Sequence, residues 1–411
     1  MSARDDDRND PTRLRAGLRR HGLVRRPAEV RTRFSRRAVR MSEGNAVDVY
    51  DCGRAAFPVM LEAIAAAKRF VHLETYTLRH DAIGRRFLAA LADRARAGVD
   101  VRLLYDAIGS LPLDRRALEP LRQAGGAILE FNPLRALWPD WAPRRRDHRK
   151  LLVVDGRCAF LGGLNIGDEY DAPARPTAGA SAWRDTHARV RGPVVHDLGA
   201  VFLESWFRGA GATLPWHELL EAETGRPGDV RCGVLPDGPI HRRRAMRDLL
   251  VDWIDEARDH VRLTSPYFAP DRRVLEALDE ATRRRVRVEL LLAGDTDHPW
   301  LRRGARATLE RLLRRGVEVH EYVASMLHTK TAVFDGRRAI LGTSNLDRQS
   351  LQHNYEVNLV IEGPPVPALL DRQFEADLEH AHPLTLPVLA RRGPLTRLVD
   401  GLAAAVMRGF V

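Results

Sequence analysis

With 411 residues, the chain is long enough for two domains or two fused repeats, each with its own core. It is 44% hydrophobic and 29% charged, as globular proteins are, and Lys plus Arg exceed Asp plus Glu by 66 to 55, which points to an anionic partner: nucleic acid, an acidic membrane surface or a phosphate-bearing substrate. Three scattered cysteines, Cys52, Cys158 and Cys232, speak against a disulfide framework or a zinc cluster and for a reducing compartment, and no run of about 18 uncharged apolar residues offers a transmembrane helix.

Asp5, Asp6, Asp7 and Asp10 open the chain with no apolar stretch behind them, so no secretory leader is expected. Residues 11–40 hold eleven arginines and one acid, Glu29. Two readings fit them: a flexible arm that touches anionic phospholipid head groups, or a leader without structure. Regular patterns begin near residue 46. A helix is predicted over Ala55–Lys68, a strand over Val71–Leu73, a helix over Ile83–Ala97, a strand over Val101–Tyr105, a helix over Arg115–Ala124 ending at Gly125-Gly126, and a strand over Ile128–Phe131. Next comes Leu134–Trp141, an apolar, Trp-bearing stretch before Arg144-Arg145-Arg146. It suits either a packed loop or a lipid interface.

The same order then recurs: a helix near Arg244–Asp259, a strand Val261–Thr264, a helix Arg273–Arg283, a strand Val286–Leu292, a helix Arg303–Arg314 ending at Gly316, and a strand Val317–Tyr322. Strand–helix alternation predicts an α/β fold with a mostly parallel sheet in each half, and the repetition predicts a pseudo-twofold axis. The expected organisation is a basic arm (1–45), a first repeat (46–225), a second repeat (226–385) and an amphipathic C-terminal segment (386–411). In that last segment Leu398, Val399, Leu402, Val406 and Phe410 recur at helical spacing and fit packing on the domain or lying on a membrane.

The third strand of each half is followed by one and the same string. In the first half it is His148, Lys150, Asp155 and Gly162-Gly163-Leu164-Asn165; in the second it is His328, Lys330, Asp335 and Gly342-Thr343-Ser344-Asn345. Identical spacing, 180 residues apart, is not a chance match. His and Lys at i and i+2 of an extended segment share a face. Asp155 and Asp335 fall at the strand's far end before Gly156 and Gly336, where a carboxylate fixes a turn rather than meeting substrate. The small residues let the backbone return close enough to bring Asn165 and Asn345 beside the His-Lys pair.

This string resembles the HxKxxxxD motif of the phospholipase D superfamily, and the resemblance spans almost all of residues 46–385. Asn165-Ile166-Gly167-Asp168-Glu169-Tyr170, Trp183-Arg184-Asp185, Ser265-Pro266-Tyr267-Phe268, Asn354-Tyr355-Glu356 and the early Glu74 are similar to the bacterial cardiolipin synthase branch, in a short form without N-terminal spans. Many relatives carry Arg where Gln349 stands. The resemblance implies two fused α/β/α sandwich repeats with one shared active site. It implies a catalytic set of His148, Lys150 and Asp155 with His328, Lys330 and Asp335. His148 would attack phosphorus, and His328 would serve as acid and base. Both lysines would neutralise phosphoryl oxygens, and Asn165 and Asn345 would donate hydrogen bonds. Each imidazole needs an acceptor at its far nitrogen. Glu356 is expected to serve His328, and Asp185 to serve His148. Glu74 is expected to line the site, and Tyr267 and Phe268 either line it or join the core.

The implied activity is phosphatidyl transfer between phosphatidylglycerol molecules through a phosphohistidine, at the inner face of the bacterial cell membrane. The alternatives are a hydrolase releasing phosphatidic acid, or a phosphodiesterase acting on nucleic acid. Neither a cofactor nor a metal is expected, because the other histidines lack ligand spacing and lysine takes the cation's role. The expected partners are anionic phospholipid and a membrane surface, with no obligate protein partner evident.

Overall fold

The computed structural model describes residues 39–133, 145–171, 173, 183–210, 225–239, 244–296, 299–391, 393 and 399–400. The basic arm up to residue 38, the Trp-bearing stretch 134–141 and most of the amphipathic C-terminal segment therefore lie outside the described residues.

The first half runs β1 (Met41–Tyr50), α1 (Gly53–Ala65), β2 (Phe70–Thr75), α2 (Ala82–Arg96), β3 (Asp100–Asp106), α3 (Glu119–Gln123), β4 (Ala127–Phe131), β5 (Leu151–Val154), β6 (Cys158–Gly162), β7 (Trp183–Arg184), β8 (His187–Arg191) and α4 (Val195–Ala210). The second runs β9 (Val230–Asp237), α5 (Ala245–Glu256), β10 (His260–Ser265), β11 (Phe268–Ala269), α6 (Arg272–Arg283), β12 (Arg287–Ala293), α7 (Pro299–Arg314), β13 (Glu318–Tyr322), β14 (Met326–Leu327), β15 (Thr331–Phe334), β16 (Arg338–Gly342), β17 (Leu346–Asp347), α8 (Arg348–Gln352), β18 (Glu356–Glu362), α9 (Val366–Leu378), β19 (Ala381–Pro383) and α10 (Leu386–Ala390). Local chemistry sets these boundaries. Asp81 caps α2 by accepting from the Gly84 amide, and Asp271 caps α6 by accepting from Arg273 and Val274.

Three expectations need adjustment. Met41–Asn45, read above as the end of the arm, belong to β1 and pair with β9, Met41 opposite Gly233 and Asn45 opposite Val230. The stretch Arg115–Ala124 is a 3-10 turn (Arg115–Leu118) followed by the single helical turn of α3, because Pro120 interrupts it. The sheet is mixed rather than mostly parallel. Only β2-β3-β4 and β10-β12-β13 run parallel; β5, β6 and β8, and their counterparts β15, β16 and β18, are antiparallel. The reason is the short turn after each motif strand, which can close only a hairpin.

The β1–β9 and β9–β18 pairings join both halves into one sheet, in the order β19-β13-β12-β10-β15-β16-β18-β9-β1-β8-β6-β5-β2-β3-β4. Helices cover both faces. One core, with Phe57 and Phe87, lies under α1 and α2; another, with Leu250 and Leu278, lies under α5 and α6. Between the halves a third core gathers Val153 and Leu161 from the first, Val333, Val357 and Leu359 from the second, and the inner faces of α4 and α9. Burial of that apolar surface fixes the halves in one relative position. No helix among the described residues is long and apolar enough to cross a membrane.

Candidate active site

His148 and His328 each sit just before their motif strands, β5 and β15, and both line one cleft of about 270 Å³ together with Asn165, Asn345, Tyr76 and Tyr170. Backbone pairing between the halves brings them there. Asp147 bridges Tyr355, and the His148 amide donates to the Tyr355 carbonyl at 3.0 Å. Symmetrically, β14 pairs with β7, and the His328 amide donates to the Arg184 carbonyl at 2.7 Å.

This crossing reverses the expected carboxylate pairing. His148 Nδ1 lies 3.0 Å from both oxygens of Glu356, and His328 Nδ1 lies 2.6 Å from Asp185 Oδ2. Each imidazole is thus buttressed by the other half. The physical reason is register: the segment leading into each histidine pairs with the segment leading into the opposite carboxylate. A carboxylate at Nδ1 favours the tautomer with its proton there, which leaves Nε2 with a free lone pair.

The carboxylates are themselves held. The Thr186 amide donates to Asp185 Oδ1 at 2.8 Å, while Thr343 Oγ1 and Asn354 Nδ2 donate to Glu356. Gly163 is needed for this arrangement, since a Cβ there would lie 1.9 Å from Asp185 Oδ1. Lys150 Nζ donates to the His148 carbonyl at 2.7 Å, and Lys330 Nζ to the His328 carbonyl. Rings wall the site: Tyr76 meets His148 edge-on at 5.0 Å, and Trp183 lies 5.2 Å from His328.

A family profile described as "Cardiolipin synthase, PLD-like domain" matches residues 60–170 and 250–378. A cardiolipin synthase of Geobacillus sp. (strain WCH70) is 33% identical over 85% of this chain and 70% of its own length. The probable cardiolipin synthase YwiE of Bacillus subtilis (strain 168) is 32% identical over 87% of this chain and 71% of its own. The chain belongs to the cardiolipin synthase family of phospholipase D-like proteins. Among solved structures, the phosphatidylserine synthase of Haemophilus influenzae Rd KW20 superposes with a TM-score of 0.70 at 14% identity, covering 93% of this chain and 97% of the other, which establishes the shared fold.

Within that family framework the electrostatics of the two pairs differ. Burial, with Lys150 and Lys330 nearby, pushes His148 well below the usual imidazole range; burial and Lys330 push His328 down to about 4. Burial raises Glu356 to about 7 against the pull of Lys150, and burial lowers Lys150 to about 7 against the pull of Glu356. Asp185 behaves oppositely. Burial would raise it, but Lys330 and His328 outweigh burial and hold it below the usual carboxylate range. Both imidazoles are therefore held neutral near pH 7. An incoming phosphodiester anion supplies the charge that would let one imidazole carry a proton.

Other expected site residues fall elsewhere. Asp155 and Asp335 lie at the ends of β5 and β15 remote from the histidines and are not among the residues that line the cleft. Asp155 accepts from the Lys68, Arg69 and Phe70 amides, and Asp335 from those of Arg258, Asp259 and His260. Both have positive φ, 54° and 53°, and each is followed by a glycine, which makes the hairpin turn. Glu74 does not line the cleft either. It is fully buried within β2 in the company of Asp147, Arg149 and Ser205, and that burial, with Asp147, raises its carboxyl well above the usual range. Its position in the strand points it to the face opposite the cleft. Tyr267 lines the cleft and Phe268 is core.

Sequence reasoning missed the clips between halves. Buried Arg149 donates from Nε to the Glu356 carbonyl at 3.1 Å and from Nη1 to Ser205 Oγ at 2.6 Å. Arg184 pairs with Asp377 through two contacts, at 3.0 and 2.8 Å. One signal was available: Arg149 alternates with His148 and Lys150, so it must point into the interior, where an arginine needs several partners. Among the described residues, the one cluster with metal-ligand spacing is Glu289, Glu318 and His320 on β12 and β13, and there Glu289 is already paired with Arg262 and Arg287.

Proposed function

We propose that the chain is a phosphatidyltransferase that converts two phosphatidylglycerol molecules to cardiolipin and glycerol, working at the inner face of the bacterial cell membrane. Family membership already makes it an enzyme of the phosphatidyltransferase and phospholipase D type. The observation that carries the finer reading is the crossed pairing, which turns two Nε2 atoms toward one cleft.

In the first half-reaction His148 Nε2 attacks phosphorus, and the bond from phosphorus to the glycerol oxygen breaks. That oxygen takes the proton from His328 Nε2, and glycerol leaves. In the second, the free hydroxyl of another phosphatidylglycerol gives its proton to His328, its oxygen attacks phosphorus, and the bond to His148 breaks. Lys150, Lys330, Asn165 and Asn345 offset the charge on the phosphoryl oxygens. The inequality of the carboxylates supports this division of roles. Asp185, held in its ionised form, is the better partner for an imidazolium, which favours His328 as the acid.

The test is to incubate purified protein with labelled phosphatidylglycerol vesicles and separate the products. Cardiolipin with equimolar glycerol is expected, and EDTA leaves the rate unchanged. Phosphatidic acid as the main product would make the chain a hydrolase. Cleavage of DNA with no lipid turnover would make it a nuclease.

A further inference from the structure

The loop after β3 is inside out. In Ile108-Gly109-Ser110-Leu111 the buried residue is a serine, Ser110, while Leu111 is 66% exposed and Ile108 37%; the chain turns back into the core only at Leu113. Only four large apolar side chains are exposed among the described residues, and two of them share this turn. Isolated exposed apolar residues are ordinary, but a pair on a rigid turn is not.

The turn is tightly held. The Asp106 carboxylate accepts from the Ile108 and Gly109 amides, and Ser110 Oγ donates to the Tyr76 carbonyl and accepts from the Leu78 amide. The same Asp106 carboxylate also holds Arg146, which lines the cleft, and the Asp147 amide, one residue before His148. The exposed leucine is thus mounted on the wall of the active site. Arg115, which pairs with Glu130, and Arg116 follow within a few residues, both exposed, on a chain of net charge +11.

We propose that this loop is the membrane-docking element: Ile108 and Leu111 enter the bilayer interface, the exposed Arg116 meets anionic head groups, and the cleft is held over the lipid it processes. An apolar tip beside cations matches an anionic lipid surface better than it matches water. The inference rests on the lipid substrate proposed above, yet its test does not require turnover.

Leu111→Cys, in a full-length chain also carrying Cys158→Ala, takes an environment-sensitive fluorophore; Cys52 and Cys232 are buried. Mixed phosphatidylglycerol–phosphatidylcholine vesicles are expected to shift its emission to that of an apolar environment, and the same label at Arg157→Cys, on the hairpin turn at the far end of β5, is expected to stay unchanged. Ile108→Asp combined with Leu111→Asp is expected to lower the ratio of the rate on vesicles to the rate on dispersed short-chain phosphatidylglycerol by about tenfold. A merely structural defect would lower both rates together. No emission shift at Leu111, an unchanged ratio, or a shift that tracks self-association without lipid would each overturn the proposal.

Discussion

Glu356 and Lys150 are buried neighbours of opposite sign, each displaced to about 7, the acid upward and the base downward. The form that works needs Glu356 ionised to orient His148 and Lys150 protonated to receive phosphate. The ionised carboxylate appears as pH rises through its raised pKa, and the ammonium disappears as pH rises through its lowered one. A kcat profile that falls on the acid side as Glu356 is protonated and on the alkaline side as Lys150 loses its proton is therefore expected, measured on saturating phosphatidylglycerol at fixed ionic strength. Glu356→Gln removes the acid limb and lowers kcat by about a hundredfold or more, with KM little changed, because a neutral amide no longer fixes the tautomer. A full rate with an unaltered acid limb in that variant would show that Glu356 does not orient the histidine.

At the scale of elements, the hairpins β5–β6 and β15–β16 carry the motif histidines at one end and are anchored at the other. Asp335 ties β15 to the start of β10 through three backbone amides. These amides hold its carboxyl below the usual range although burial opposes them, so its stabilising contribution is present above the ordinary carboxylate pKa and is lost as pH falls through the depressed one. Asp335→Ala is expected to cost about 2–4 kcal/mol, from lost hydrogen bonds and from a left-handed φ that alanine tolerates poorly. Thermal melts read that loss, while kcat measured well below the melting temperature stays within about twofold of the parent, since no contact to substrate is removed. A large fall in kcat without a fall in melting temperature would return Asp335 to the chemistry.

At the scale of the molecule, the halves complete each other. His148 has its carboxylate on β18, and His328 has its carboxylate beside β7. Fragments 1–225 and 226–411, expressed separately, are each expected to be inactive toward phosphatidylglycerol, with activity returning on co-expression; turnover by either alone would contradict the crossed pairing. The repeat and the two imidazoles were legible in the sequence because strand alternation and fixed spacing are local signals. The antiparallel hairpins were legible only in part, since the Asp155-Gly156 and Asp335-Gly336 turns were recognised while the sheet was still read as mostly parallel. The crossing was not legible. Nothing local distinguishes a carboxylate 37 residues downstream of His148 from one 208 residues away, and only the β7–β14 and Asp147–Tyr355 pairings decide. Glu74 misled because a motif residue beside the site in sequence faces the other side of its strand. The most direct measurement uses a phosphatidyl ester of p-nitrophenol, whose leaving group needs no proton. Mass spectrometry after rapid denaturation is expected to find a phosphatidyl adduct on His148 in the His328→Ala enzyme and none in His148→Ala, whereas an adduct on His328, or on neither residue, would contradict a single cleft with His148 as nucleophile and His328 as acid.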